Sequence, residues 1–567
     1  MSVMKIPLIL GVWAALTAGA LAEPEAAPRP VATNPYEISQ APQPRTELDR
    51  IVLAKLGKLG IQPANLCSDA VFVRRAFLDV IGTMPTGKEA WAFIKDENPN
   101  KREALIDALL KRPEFTDYWT MRWDETLRVK AEFPINLWPN AVQSYHRWIF
   151  TALRDNMPYD KFARELLTAN GSNFRVGQVN FYRAVQNKAP EGIAHAVAQT
   201  FLGERSENWP KAKLAGVAAF FSQIGFKATQ EWKEEIVFYD STLATNGLAQ
   251  QAQFPDGTPA KLAAETDPRT AFADWLITEK NPWFARVAVN RVWAWVMGRG
   301  IVHEPDDFRA DNPPCNPELL AYLEKELVAS KWDLRHIYRL ILTSDIYQLS
   351  SLPKVRSAAA EANFAYYPMR RLEAEVLIDA LNQITGTTEK YVSAIPEPFT
   401  FIPEDQRAIQ LGDGSISSSF LEMFGRPARD TGLWSERVNK TTADQTLHML
   451  NSSHIQRKLE QSPKFQGLMR NSTTPREVIN GLYIMILSRP PTAQEMQAIG
   501  SYAQLGAPAA GGTANASGKS GKGDKSAKAG KSGKSGGGKN RDPGKGREAA
   551  LDIAWALLNS QEFLYRH

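Results

Sequence analysis

The feature that most restricts this chain is the recurrence of helix-start signals along its length. Thr46 precedes an apolar stripe at Leu48, Ile51, Val52, Leu56 and Leu59 that Gly60 ends. Thr86 with Glu89, and Asn100 with Glu103, each place a capping side chain three residues before a glutamate that can reach back to it. Asp267-Pro268, Asn316-Pro317 and Thr474-Pro475 set a capping residue before proline at the first helical position, where its missing N–H costs nothing. Thr474 with Glu477, and Thr492 with Glu495, repeat the reciprocal cap. Against these, only Glu235 to Tyr239 reads as a fair strand. The predicted fold class is mainly α: two helical domains with irregular connections and few strands.

The ends and one insertion are organised differently. Met1 to Lys5 carries one positive charge, Ile6 to Leu21 is apolar, and Ala20-Leu21-Ala22 has the small-x-small pattern of a signal-peptidase site. Residues 1–22 therefore read as a signal peptide, and the mature chain as exported, periplasmic or cell-surface, with no membrane span after cleavage. Residues 23–44, rich in Pro and Ala, read as a flexible leader. A first helical domain is expected over 45–225, a connector over 226–265, and a second helical domain over 266–505 with 549–567. Residues 390–418 carry Pro, Gly and Ser without a sustained period and read as a loop. Residues 506–548 are Gly, Ser, Ala and Lys, too poor in apolar surface to offset ordering entropy, and are expected to be a disordered inserted loop. That insertion also explains the charge. Its stretch from 511 to 547 carries +8 against +5 for the whole chain, so the remainder is −3. A basic nucleic-acid-binding fold is not indicated, and no nucleic acid is expected as a partner.

Ordered motifs link the chain to known families. Arg74-Arg75-Ala76-Phe77-Leu78-Asp79 through Gly82 and Pro85-Thr86, with Arg112-Pro113-Glu114-Phe115, Trp119 to Trp123 and Asn180-Phe181-Tyr182-Arg183, resembles domain of unknown function 1549, the PSCyt type. Asn281-Pro282-Trp283-Phe284-Ala285-Arg286 to Trp293, Gly298-Arg299-Gly300, Met369-Arg370-Arg371-Leu372-Glu373, Phe424-Gly425-Arg426-Pro427 and Leu557 to Tyr565 resemble its usual companion, domain of unknown function 1553, the PSD type. The resemblance implies an exported protein of planctomycetes and related bacteria, of a cytochrome-associated family mostly without assigned activity. Many such proteins carry Cys-x-x-Cys-His between a Phe-Leu-Gly and an Ala-Phe-Phe stretch. Here Phe201-Leu202-Gly203 and Ala219-Phe220-Phe221 are present, but Glu204 to Ala218 holds neither Cys nor His. No cofactor is predicted, covalent haem included.

The chemistry-bearing residues are scattered. His303, Glu304, Asp306 and Asp307 offer an imidazole and carboxylates in one turn, without metal-ligand spacing, and no metal is predicted. Arg371 and Glu375 read as one helical face, as do Arg75 and Asp79. Arg286 and Arg291 stand among Trp283, Trp293 and Trp295. The candidate ligand-binding set is thus Arg286, Arg291, His303, Asp306, Asp307, Arg371 and Glu375, with the ion-pair network between helices as its structural alternative. No catalytic residue stands out. His448 and His454, six apart, do not share a helix face. Cys67 and Cys315 are the two cysteines and the candidates for one disulfide.

The expected function is an exported accessory or binding protein of the bacterial envelope that engages a protein partner or an anionic cell-surface glycan. The alternative is an extracytoplasmic enzyme acting on polysaccharide or another anionic substrate. A third reading is a component of a redox complex whose haem sits on a partner. Clustering of the candidate residues in one cleft favours the enzyme; their dispersal as interhelical salt bridges favours the accessory role.

Overall fold

The computed structural model describes residues 34–263, 266–505 and 543–567. The expected signal peptide, most of the leader and nearly all of the Lys-rich insertion lie outside them. Among the described residues there are 23 α-helices and five short strands, and the fold is mainly α as read from the sequence. None of these helices is long and apolar enough to cross a membrane.

The local rules hold at most helix starts. Thr46, Thr86 and Thr474 each accept the third backbone N–H of their helix while Asp49, Glu89 and Glu477 reach back. Asp267 and Asn316 cap the helices that open with Pro268 and Pro317. Asn100 departs: its side chain makes no cap, and its own N–H goes to Asn98 Oδ1 at 2.9 Å instead. Glu235–Tyr239 is a strand, central in a three-stranded antiparallel sheet between Gly171–Ser172 and Ile224–Ala228. The second sheet pairs Arg370–Arg371 with Tyr565–Arg566.

Pro35–His567 forms one compact unit. At its centre Trp119 and Trp123, from helix Pro113–Thr126, meet Trp295 of helix Phe284–Met297 at 5.6 and 5.4 Å between ring centres, and Tyr338 lies 4.2 Å from Trp119. Edge and tilted ring contacts of this kind join the two halves of the chain in one apolar core.

Two expectations about segments are corrected. The leader from Tyr36 on is held in place, because Ile38 N–H donates to Leu66 O and Leu66 N–H to Gln40 O, both within 3.0 Å. The closing helix runs Pro543–Leu558, so it starts before Ala549, inside the stretch expected to be a disordered loop. Cys67 is buried and Cys315 partly so, and both are free thiols. The candidate disulfide is not formed. Cys67 is instead paired through its backbone to Glu37 and to Gln348 O, and Cys315 to Ile301 O.

Candidate functional site

Most of the candidate charges are spent inside the protein. Arg371 does not lie on a helix with Glu375. It belongs to the Arg370–Arg371 strand, and the helix begins at Ala374. Its guanidinium donates to Phe424 O at 2.7 Å and Val438 O at 3.0 Å. Glu375 is 1% exposed and receives Arg437 in two-pronged fashion at 2.8 and 2.9 Å, with Arg426 at 3.4 Å. Burial alone would raise its carboxyl, but Arg437 and Arg426 overcome that and hold it near 2. Arg75 and Asp79 likewise do not meet. Arg75 donates to the carbonyls of Tyr347, Leu349 and His567, and Asp79 pairs with Arg370 at 2.8 Å and Arg566 at 3.2 Å.

These pairs join into one buried seam. Arg566 reaches from Asp79 to Glu373, Glu373 faces Arg122, Arg122 faces Glu125, and Arg437 bridges Glu125 to Glu375. Burial opposes the charge on Glu373, yet Arg566 and Arg122 hold its carboxyl well below the carboxylate range. Each carboxylate in the seam is matched by at least one guanidinium, which is what lets the side chains sit at 0–15% exposure. Arg370 of the sequence motifs and Arg566, next to the closing motif, therefore serve the junction of the two halves.

The remaining candidates divide. Arg291 donates to Thr200 O at 2.9 Å and Gln199 O at 3.2 Å, with its plane 6.0 Å from Trp123. It lines a narrow cleft with Asp306, Arg437 and Trp434. Asp306 is fixed there by Arg205 at 3.2 Å and the Trp434 N–H at 2.9 Å, and Glu304 takes the same guanidinium. Arg286 sits apart, 3.4 Å from Glu324, beside Trp283 and Phe308. Asp307 pairs with Arg309 at 3.0 Å. His303 is half-buried with its Nδ1 unpartnered, and burial with the nearby Arg299 lowers its pKa. The seven candidates do not converge on one cleft.

A different constellation does form, and the sequence reading passed over it. Helix Pro139–Arg154 presents Pro139, Val142, Gln143 and His146, spaced for one face, to a cleft whose other wall is built from residues 399–416. His146 Nδ1 lies 2.8 Å from Asp124 Oδ2, and Asp124 is fully buried with Arg429 at 3.6 Å. A carboxylate oxygen accepts, so Nδ1 is the nitrogen that donates to Asp124. No protein group partners Nε2 among the described residues. Gly412 makes this possible, because a Cβ there would fall 2.6 Å from the imidazole.

The far wall is irregular but pinned. Buried Arg429 donates to Gly412 O and Leu411 O at 2.9 and 3.1 Å, and Arg426 to the carbonyls of Asp413 and Ile416. Asp413 takes Ala131 N–H at 2.9 Å and Ser415 N–H at 2.8 Å. Asp379 receives Ala408 and Ile409 N–H, and its burial, only partly offset by Arg407, raises it to about 6. At the rim, Phe399, Trp138 and Trp232 form an edge-to-face triangle with ring centres 4.5 to 5.8 Å apart. Trp232 is 60% and Phe401 72% exposed.

A third grouping joins histidines expected to be apart. His448 and His454 occupy successive helices, Ala443–Asn451 and Ser453–Glu460, so the break at Ser452 brings His448 Nε2 within 3.4 Å of His454 Nδ1. Glu389 takes His454 Nε2 at 2.9 Å and Lys458 at 3.0 Å. This group packs on the stacked rings of Phe420 and Phe424.

Fold and side-chain placement define a helical protein whose two halves are locked by a buried ionic seam and share an open, histidine-bearing cleft. Residues 47–213 match the PSCyt2 family, a protein of unknown function (DUF1549), and residues 268–503 match the PSD1 family, a protein of unknown function (DUF1553). The chain thus carries matches to these two families in that order. No curated protein and no solved structure matches it. Helix Pro139–Arg154 comes from the first matched region and the 399–416 wall from the second, so the cleft is made by both.

Proposed function

We propose that this protein is an exported accessory protein of the bacterial envelope that binds a protein partner or a cell-surface glycan and performs no chemistry of its own. One observation carries the reading: the arginines and carboxylates that could have formed a catalytic cluster are instead engaged with one another or with backbone carbonyls. A charge held this way has little left to offer a substrate, and moving it would leave a partner unpaired in the interior. Export rests on the N-terminal apolar run and the Ala20-Leu21-Ala22 site.

The test is a pull-down of the tagged mature chain from its native envelope, with proteins and glycans both identified. Specific recovery of an envelope protein or glycan is the expected result. Recovery of the chain alone, together with turnover of an envelope polysaccharide by the purified protein, would replace this reading with the enzymatic one. N-terminal sequencing of envelope material checks the export step, and an intact Met1 would overturn cleavage.

A further inference from the structure

We propose that the cleft between helix Pro139–Arg154 and residues 399–416 binds a neutral saccharide, with His146 as its central polar contact and the Trp232, Phe399 and Phe401 rings as its platform. This names the ligand class of the accessory reading and rests on it.

A sugar ring offers two C–H faces and an edge of hydroxyls, so a site for it needs exposed aromatic faces beside side chains that can both donate and accept. Both are present in one place. Trp232 and Phe399 are 60% and 43% exposed, a cost in apolar surface that packing inside the protein does not recover. Their mutual edge contacts and the Lys233 ammonium, 5.6 Å from the Trp232 ring and 5.8 Å from Trp138, fix the platform in advance.

The polar half is equally prepared. His146 is oriented by Asp124 and turns an unpartnered nitrogen to the cleft. Gln410 spends one amide hydrogen on Asp117 at 2.9 Å and keeps its remaining capacity. Thr400 lines the same space, is 9% exposed, and its hydroxyl has no partner in the protein.

Charge selects the class. Among the described residues, the ionisable side chains lining this cleft are His146 and Asp413, and Asp413 is occupied by two backbone amides. No lysine or arginine lines the cavity itself among the described residues, so an anionic group held inside it meets no cation there, and the Lys233 ammonium stands outside, over the Trp232 and Trp138 rings. The cavity holds about 170 Å³, on the scale of one pyranose ring, and Phe399 of its lining touches the Trp138 and Trp232 rings.

The experiment titrates the full mature protein with neutral linear hexasaccharides of glucose, N-acetylglucosamine, mannose and galactose, and with a sulfated galactan. Tryptophan emission and calorimetry supply the readout. At least one neutral hexamer is expected to bind and shift the emission, with affinity falling tenfold or more in both His146→Ala and Trp232→Ala. Thermal unfolding of Trp232→Ala should match the parent, so that loss of binding is not loss of fold. Failure of every neutral hexamer to bind, binding unchanged in both variants, or binding of the sulfated polymer alone would overturn the assignment. If the envelope pull-down still yields a protein partner in that case, the accessory reading stands and only the cleft assignment falls. Shortening of a bound hexamer would keep the site and overturn the non-catalytic reading instead.

Discussion

In the seam, Arg437 spans Glu125 and Glu375, and Arg566 spans Asp79 and Glu373, so that each charge is answered within the protein. In the cleft, His146 has Asp124 on Nδ1 and no hydrogen-bond partner on Nε2 among the described residues. Both regions join the first matched family to the second, and both use buried carboxylates. The difference lies in completeness. A network in which every carboxylate meets a guanidinium holds two halves together, whereas a histidine paired on one nitrogen only is arranged for something outside the chain.

The sharpest way to break this contrast is to remove a carboxylate from the seam. Glu373→Gln takes from Arg566 and from Arg122 one of the two carboxylates each faces, and urea unfolding should show a loss on the order of 3 kcal/mol. A loss below about 1 kcal/mol would mean that the seam does not hold the halves together.

Acid acts on the same network. Glu375 has its folded pKa depressed from 4.5 to about 2, so its contribution is complete above the unfolded value and is lost as pH falls from about 4.5 towards 2. Glu373 is depressed in the same sense. Melting temperature should therefore drop steeply below pH 4.5. Asp379 runs the other way: raised from 3.8 to about 6, it favours folding most below 3.8 and loses that contribution as pH rises through 6. A melting temperature flat from pH 5 to 3 would contradict the seam's assignment.

On the cleft side the effects on stability should be smaller. Gly412→Ala pushes a methyl group against the His146 ring, which is partly exposed and can swing away, at a cost of about 1 kcal/mol. The NMR signals of His146 should move while the seam is undisturbed. Unchanged imidazole resonances would show that Gly412 does not set the ring's position. Trp232→Ala should change stability by no more than about 0.5 kcal/mol, since the ring is mostly in solvent. A larger loss, measured by thermal unfolding, would make the aromatic triangle a structural element and remove the contrast.

How much of this could be read from the chain differs by region. The capped helix starts at Thr46, Thr86 and Thr474 and the strand at Glu235–Tyr239 are local matters, decided by side chains within a few residues of the backbone they satisfy. The ion pairs were legible only as residue types. Arg371 and Glu375 are four apart, but Arg371 is strand and the helix begins only at Ala374, so helical spacing named the wrong partners. Their real partners, Phe424 O and Arg437, lie more than fifty positions away. The cleft was the least legible, because one wall falls in 390–418, a stretch without period. Its order comes from Arg426 and Arg429 donating to its carbonyls. The Phe424-Gly425-Arg426-Pro427 motif was the one sequence signal pointing there.

By itself the sequence determined that this chain is helical, where many of its helices begin, and which two families it joins. These follow from hydrogen bonds and apolar periodicity within single turns, and from motifs that can be matched without a partner in view. Only the tertiary structure decided which charges meet, that His146 is left open above Asp124, and that the aromatic rim stands beside it. Those outcomes depend on contacts between segments up to several hundred residues apart, where burial removes water and obliges each polar group to take whichever partner the packing brings.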